Sequence, residues 1–337
     1  MKKCLYILLI SCFSLSFISC AKKSDSTTSD NTTTSSGLYV AVGDNGIILT
    51  SSDASTWDNR SYETPSRLRA VNHANSTFMT VGYTDEIILS SSDGISWDSI
   101  RSGTGNLRGV AYGNNKFVVV GLSGHISTSS DGTSWDNRTS GTSTVLYGVN
   151  YVNNQFVAVG GQGTILTSSD GISWDSRTIS GQTFSLYHVT HGNNKFVAVG
   201  VNGWIVTSSD GISWYNESSG TTNILTQITY GNGTFVVTGR VGTILTSTDG
   251  TSWDNRTSGT TEHLYGLTYG NSKFVATGYS GTILPSSDGT TWTSRTSGTS
   301  NNLRNITYRN STFMAVGNSG SIFTSSDGTG WTTRTSG

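Results

Sequence analysis

The residues in this sequence best suited to chemistry stand in a column. Arg69, Arg108, Tyr147, Tyr187, Thr226, Tyr265 and Arg304 each follow a leucine that opens a short run rich in β-formers. A guanidinium presents a planar fork of donors that matches a carboxylate or a sulfate. Tyrosine rings beside it suit stacking on a sugar. If these runs line an axis, Arg304, Arg69 and Arg108 cluster at one mouth of it, with Tyr147, Tyr187 and Tyr265 alongside. The competing reading is packing, in which Arg and Tyr lay their stems on apolar surface and leave only polar tips in water. His125 and Trp204 stand where other copies carry Thr164, Thr243 or Thr282, and Trp204 joins the candidate ligand-binding residues.

Other chemistry is harder to assemble. Glu63, Glu217 and Glu262 are available acids, but nothing pairs one of them with a tyrosine at a singular place. The histidines (His73, His125, His188, His191 and His263) are scattered over four units. His188 and His191, three apart on a strand, point to opposite faces and are poorly set to chelate one metal. No catalytic residue, cofactor or metal is therefore expected. Eight aspartates, Asp53, Asp93, Asp131, Asp170, Asp210, Asp249, Asp288 and Asp327, each precede a tryptophan by four residues: Trp57, Trp97, Trp135, Trp174, Trp214, Trp253, Trp292 and Trp331. Eight equivalent copies read as scaffold rather than as eight metal or substrate carboxylates. A carboxylate at a tight corner accepts hydrogen bonds from backbone N–H groups one to three residues on. The glycine that follows (Ala54 in the first copy) relieves the backbone, and the tryptophan packs between neighbouring sheets.

Positioning these residues requires a repeated element. Successive tryptophans are 40, 38, 39, 40, 39, 39 and 39 residues apart, a period that marks a solenoid or a propeller. In the unit from Leu146 to about Gly181, Leu146–Tyr151 reads as a strand and Val152-Asn-Asn-Gln155 as a tight turn. Phe156–Gly160, Thr164–Thr167 and a stretch around Trp174–Arg177 read as three more strands. Four short strands in about forty residues make a propeller blade, so the fold expected is an all-β propeller with almost no helix. The interval from the first leucine to the tryptophan is 28 residues in six units and 29 in the unit of Leu68, where Tyr83-Thr84-Asp85-Glu86 carries one extra residue.

The repeats begin in mid-unit, because Leu38–Gly43 corresponds to a second strand. Eight second, third and fourth strands are therefore counted against seven first strands. Eight blades with one of three strands is the simplest closure, and seven blades with a surplus half-blade is the alternative. Arg60, Arg138, Arg177, Arg256, Arg295 and Arg334 recur three residues after the tryptophan, and the first four pair with Asp58, Asp136, Asp175 and Asp254 on the outer edge in this reading. Charged residues are 12% of the chain and the net charge is −1, which argues against a nucleic-acid surface.

The run Thr167-Ser-Ser-Asp170-Gly-Ile-Ser-Trp174 resembles the Asp-box, or BNR, repeat of sialidases, sortilin-type propellers and photosystem II assembly factor-like proteins. It is one residue shorter between Asp and Trp than that family's Ser/Thr-x-Asp-x-Gly-x-x-Trp. The resemblance covers about residues 37–337 and implies a propeller without implying an activity. Sialidases of this family also use an arginine triad, together with an Arg-Ile-Pro element; here neither Pro65 nor Pro285 follows Arg-Ile.

At the N-terminus, Met1-Lys2-Lys3 and the apolar run Cys4–Ile18 read as a signal peptide over 1–19. Phe17-Ile-Ser-Cys20 resembles a lipobox, which makes Cys20 the lipidated residue; simple secretion is the alternative. Residues 20–37 read as a flexible Ser/Thr-rich tether and 38–337 as the propeller. Residue 22 is not acidic, which in double-membraned bacteria resembles outer-membrane sorting within the cell envelope. The function expected is that of a non-catalytic, lipid-anchored monomer that binds a protein or a glycan through the variable face of the propeller. A sialidase-like glycoside hydrolase and an assembly factor for an envelope complex are the alternatives.

Overall fold

The computed structural model describes residues 38–84, 86–101 and 106–335. The leader expected over 1–19, Cys20 and the tether to 37 lie outside the described residues. In the fourth repeat, the strands Leu146–Val152, Gln155–Gly160, Ile165–Ser168 and Asp175–Ser176 form one antiparallel sheet in that order. The first two strands join through Asn153 (φ 49°) and Asn154 (φ 60°), and this left-handed pair matches the twist of the strands on either side. Eight such sheets follow one another as blades, six with four strands and two, the first and the seventh, with three. Among the described residues there is no α-helix, only short 3-10 turns such as Leu122–Gly124.

The core is a series of interfaces between blades. Each second strand turns one face to the blade before it and the other to the blade after it. Phe156, Ala158 and Leu166 pack against Val118, Val120 and Ile126 of the third blade, while Val157, Val159 and Ile165 pack against Leu186, Val189 and Phe196 of the fifth. The seven first-strand leucines are fully buried. The first blade joins both of its neighbours: Tyr39–Val42 share one cluster with Leu68 and Val71 of the second blade and with Met314, Val316 and Ile322 of the eighth. That contact closes the ring at eight blades.

Every first strand carries a β-bulge. Leu146 lies opposite Gly160 and Gly148 opposite Val159, so Tyr147 is the extra residue. The same shift occurs in all seven first strands, starting at Leu68, Leu107, Leu146, Leu186, Leu225, Leu264 and Leu303. A plain alternation expected from the sequence is thus broken after the leucine. The bulge lets Leu146 and Val149, three apart, both serve the same interface.

Two strand expectations need correction or refinement. A fourth strand was expected after Trp292, but the seventh blade has only the isolated pair Ile283 with Arg295 there. Pro285 occupies the third-strand position that Thr167 or Thr246 holds elsewhere opposite the fourth strand. Without an N–H it accepts from Thr293 (3.2 Å) but cannot donate back, and the ladder ends. In the first blade, Tyr39–Val42 is the innermost strand and pairs with Ile48–Ser51 on one side. The second blade leans onto it: Leu68 N–H donates to the Gly43 carbonyl (3.0 Å), and Arg67 pairs with Asp44 (2.7 Å).

Candidate binding face

Each Asp-Trp corner spends its polar groups on its own turn. Asp170 Oδ1 accepts the backbone N–H groups of Ile172 (2.8 Å) and Ser173 (2.9 Å). Ser168 Oγ donates to the same oxygen (3.0 Å) and accepts from Gly171 N–H (2.8 Å). Trp174 Nε1 donates to the Gly171 carbonyl (3.2 Å), and its ring lies against Phe156 at the outer end of the interface. Asp53, Asp93, Asp131, Asp210, Asp249, Asp288 and Asp327 repeat the arrangement. Backbone donors hold the carboxyls of Asp53 and Asp210 below the usual carboxylate range, at about 2. The tryptophans do the same structural work: Trp57, Trp214 and Trp292 are buried, while Trp97, Trp135, Trp174, Trp253 and Trp331 are partly buried against the interface clusters. On the outer strands Arg60, Arg138, Arg177 and Arg256 pair with Asp58, Asp136, Asp175 and Asp254 at 2.7–2.9 Å.

The column of variable residues lies at the opposite end of the blades, and each of its members is the bulged residue. A bulge re-aims a side chain, and here it brings Arg69, Arg108, Tyr265 and Arg304 against residues of the turns after second strands. The Arg69 guanidinium lies 4.2 Å from the centre of the Tyr83 ring, and the Arg108 guanidinium lies 5.1 Å from the same ring. Arg108 also sits over Tyr147 at 5.1 Å, and Tyr147 meets Tyr187 edge-on at 5.0 Å. On the other side of the first blade, Arg304 lies 5.1 Å from the Tyr279 ring and 5.8 Å from Tyr265. Its Nη1 donates to the Tyr279 hydroxyl (3.2 Å) and its Nε to Asn318 Oδ1 (3.0 Å). Tyr265 and Tyr279 pack at 5.0 Å, with His263 beside Tyr279 at 5.3 Å. Arg240 sets its charge close to Tyr187, Tyr265 and Tyr279, and so links the two arms.

The result is a belt of guanidiniums and phenol rings. Burial pushes Tyr187 up to about 12, and burial with a hydrogen bond to Tyr279 does the same for Tyr265, so both stay neutral donors at ordinary pH. Each guanidinium over a ring gains about 0.5–2 kcal/mol from the π face, more as water is excluded. The cations are thereby fixed in place before any ligand arrives. Arg69 differs from the other two arginines, because it is 2% exposed while Arg108 and Arg304 are half-buried. The sequence places Arg69 at an open mouth with the others; the fold places it beneath Tyr83, as a support.

Three members of the belt were not singled out from the sequence: Tyr83, Arg240 and Tyr279. Each directly follows the glycine that ends a second strand, in turns that share no pattern among themselves. Their common position after that glycine was the only signal. Trp204 belongs elsewhere. It stacks on Phe184 at 4.1 Å and lines a shallow groove of about 670 Å³ with Glu217 and Asn223. His125 is bonded to Ser127 Oγ (2.8 Å). Burial holds His188 down at about 4, while His191 packs against Phe196. Among the described residues, no three His, Cys, Asp or Glu side chains are placed to hold a metal.

No family model and no curated protein matches this sequence. Solved structures do resemble its fold. The computationally designed protein Ika8 superposes with a TM-score of 0.73 at 13% identity, covering 92% of this chain and 98% of Ika8. YCF48 from Cyanidioschyzon merolae gives 0.59 at 19% identity, covering 79% of this chain and 97% of its own. Virginiamycin B lyase from Staphylococcus aureus gives 0.64 at 11%, covering 78% and 92%. Neighbours as different as a designed protein and a lyase establish for this chain the β-propeller fold and nothing finer.

Proposed function

We propose that this protein is a non-catalytic binding module, held at the bacterial envelope by lipid on Cys20, that takes an acidic group of a protein or glycan partner on its Arg–Tyr belt. The observation that carries this reading is the seating of Arg108 and Arg304 over tyrosine rings at one end of the ring, with Arg240 between the two arms. Half-buried guanidiniums already fixed by stacking lose little freedom when an anion arrives. A peptide partner draws support from a propeller of like fold, since YCF48 has been solved with a D1 peptide bound; the two chains share 19% identity and a TM-score of 0.57. That likeness also favours a role as assembly factor for an envelope complex over glycoside hydrolysis.

The test uses the full mature chain against acidic peptides and sulfated glycans. Arg108→Ala, Arg240→Ala and Arg304→Ala should each weaken binding by roughly tenfold or more, the loss expected of a charge-assisted contact worth about 1.5–3 kcal/mol. The melting temperature should move little in these three, whereas Arg69→Ala should lower it. A sialoside reporter should remain intact. Absence of binding to either class, or equal loss in the exposed and the buried arginine variants through unfolding, overturns the reading.

A further inference from the structure

The ring contains eight inter-blade interfaces built to one plan, and one of them lacks a component. In the interface between the third and fourth blades, Leu146 is fully buried among Val120, Ile126, Ala158 and Leu166. Strand register gives the equivalents at the interface between the eighth and first blades. Val316 pairs with Ile322 as Val120 pairs with Ile126, and Ala41 pairs with Leu49 as Ala158 pairs with Leu166. Those four side chains, with Gly43, form the apolar wall of a cavity of about 180 Å³, whose remaining lining includes Asp44, Arg304, Asn318 and Ser321. Truncating a single core leucine to alanine leaves on the order of 150 Å³. The cavity is therefore about the size of the leucine site that the other seven blades fill from their own first strands, and its apolar wall is built from the same positions.

The backbone beside it is arranged to match. Tyr39–Val42 is an edge strand among the described residues. The first strands of six neighbouring blade pairs pack side by side around the axis, and those of the eighth and second blades stand apart. An unpaired edge next to an apolar socket is the arrangement by which an extended peptide adds a strand to a sheet.

We propose that this socket and edge form a peptide-binding groove, whose ligand is an extended segment of a partner protein with the pattern Leu-x-x-Val/Ile-x-Tyr/His. The pattern is read from the strands that fill the equivalent places within this chain, such as Leu107–Gly113 and Leu186–Gly192. The leucine enters the cavity, the branched residue lies opposite Ala41, and the aromatic residue lies opposite Tyr39, as Leu146, Val149 and Tyr151 lie opposite Gly160, Ala158 and Phe156. Leu68 N–H already occupies the Gly43 carbonyl, so side-chain insertion, with pairing farther along the edge, holds the ligand.

The groove borders the belt at Arg304, which lines the same cavity, and its test reads the leucine socket rather than the belt. The probe is a capped peptide with the sequence of Leu107–Gly113, titrated against the full mature chain, beside the same peptide carrying serine for leucine. The leucine peptide should bind saturably and at least about tenfold more tightly than the serine peptide. Val316→Trp, which fills the socket from the eighth blade, should abolish binding while the variant keeps its circular dichroism. Ala41→Leu fills it from the other wall and serves if Val316→Trp fails to fold. Equal binding of the two peptides, no binding, or binding unaffected by a folded socket-filled variant overturns the proposal. So does binding that emerges only after residues 22–35 are deleted, because the chain's own segment would then hold the edge.

Discussion

At the scale of single residues, the protein repeats one polar device eight times. The Asp170 carboxylate accepts two backbone N–H groups and a serine hydroxyl, and Gly171 (φ 73°) supplies the left-handed turn that brings them together. The ionised form is favoured in the folded state, so the folded carboxyls titrate below their unfolded value. As pH falls, the unfolded chain takes up these protons first, and stability declines. The contribution is fully present above about pH 4 and is lost as pH falls through the folded values near 2. The melting temperature should accordingly hold steady from pH 7 to about 4 and drop below it. Asp170→Asn should melt lower than the wild type at pH 7, with the gap narrowing toward pH 2. A constant gap across that range would show that the charge of Asp170 is not what the corner uses.

At the scale of the strand, hydrogen-bond supply decides where each sheet stops. The fourth strand is Asp254–Arg256 in the sixth blade and Thr332–Arg334 in the eighth, yet it shrinks to one bridge in the seventh, opposite Pro285. Pro285→Thr restores the residue type found at this position in the fourth, fifth and sixth blades. It should extend pairing at Thr293–Arg295 and stabilise the protein by about 0.5–1.5 kcal/mol, the net worth of one backbone hydrogen bond. Chemical denaturation of the two proteins side by side checks this. No gain would mean that Thr293 and its neighbours are held off by something other than the missing donor. The bulges belong to the same scale. The sequence reads as plain alternation there; the bulge appears only in the pairing register, where it lets leucine and valine spaced by three serve one face.

At the scale of the whole ring, the weak seam is the incomplete first blade. Among the described residues its inner strand lacks the partner that every other second strand has, and a cavity stands beside it where the other blades place a leucine. Local opening concentrates where buried contacts and paired backbone are fewest. Amide hydrogens of Tyr39–Val42 should therefore exchange faster than those of Gln155–Gly160, which is paired on both sides. Adding the leucine peptide should slow that exchange at the first blade and leave the fourth unchanged. Uniform protection around the ring would mean that the second blade, through Leu68 and Arg67, seals the seam completely.

Amino-acid order alone determined the blade. Turn residues, β-branched runs and the Asp-Gly corner act over four to eight neighbours, so each hairpin is a local consequence of its own residues, and the period of about forty repeats it. The column beginning at Arg69 was visible as well, because it stands at a fixed step from a leucine. Closure at eight rather than seven blades was decided only in three dimensions, where Tyr39–Val42 meet Met314 and Val316 across nearly the whole length of the chain. So was the difference between Arg69, buried under Tyr83, and Arg108, half open to solvent. Tyr83, Arg240 and Tyr279 became part of the belt for the same reason. Local chain chemistry fixes which way a strand turns, whereas burial and contact between distant strands depend on how the sheets pack against one another.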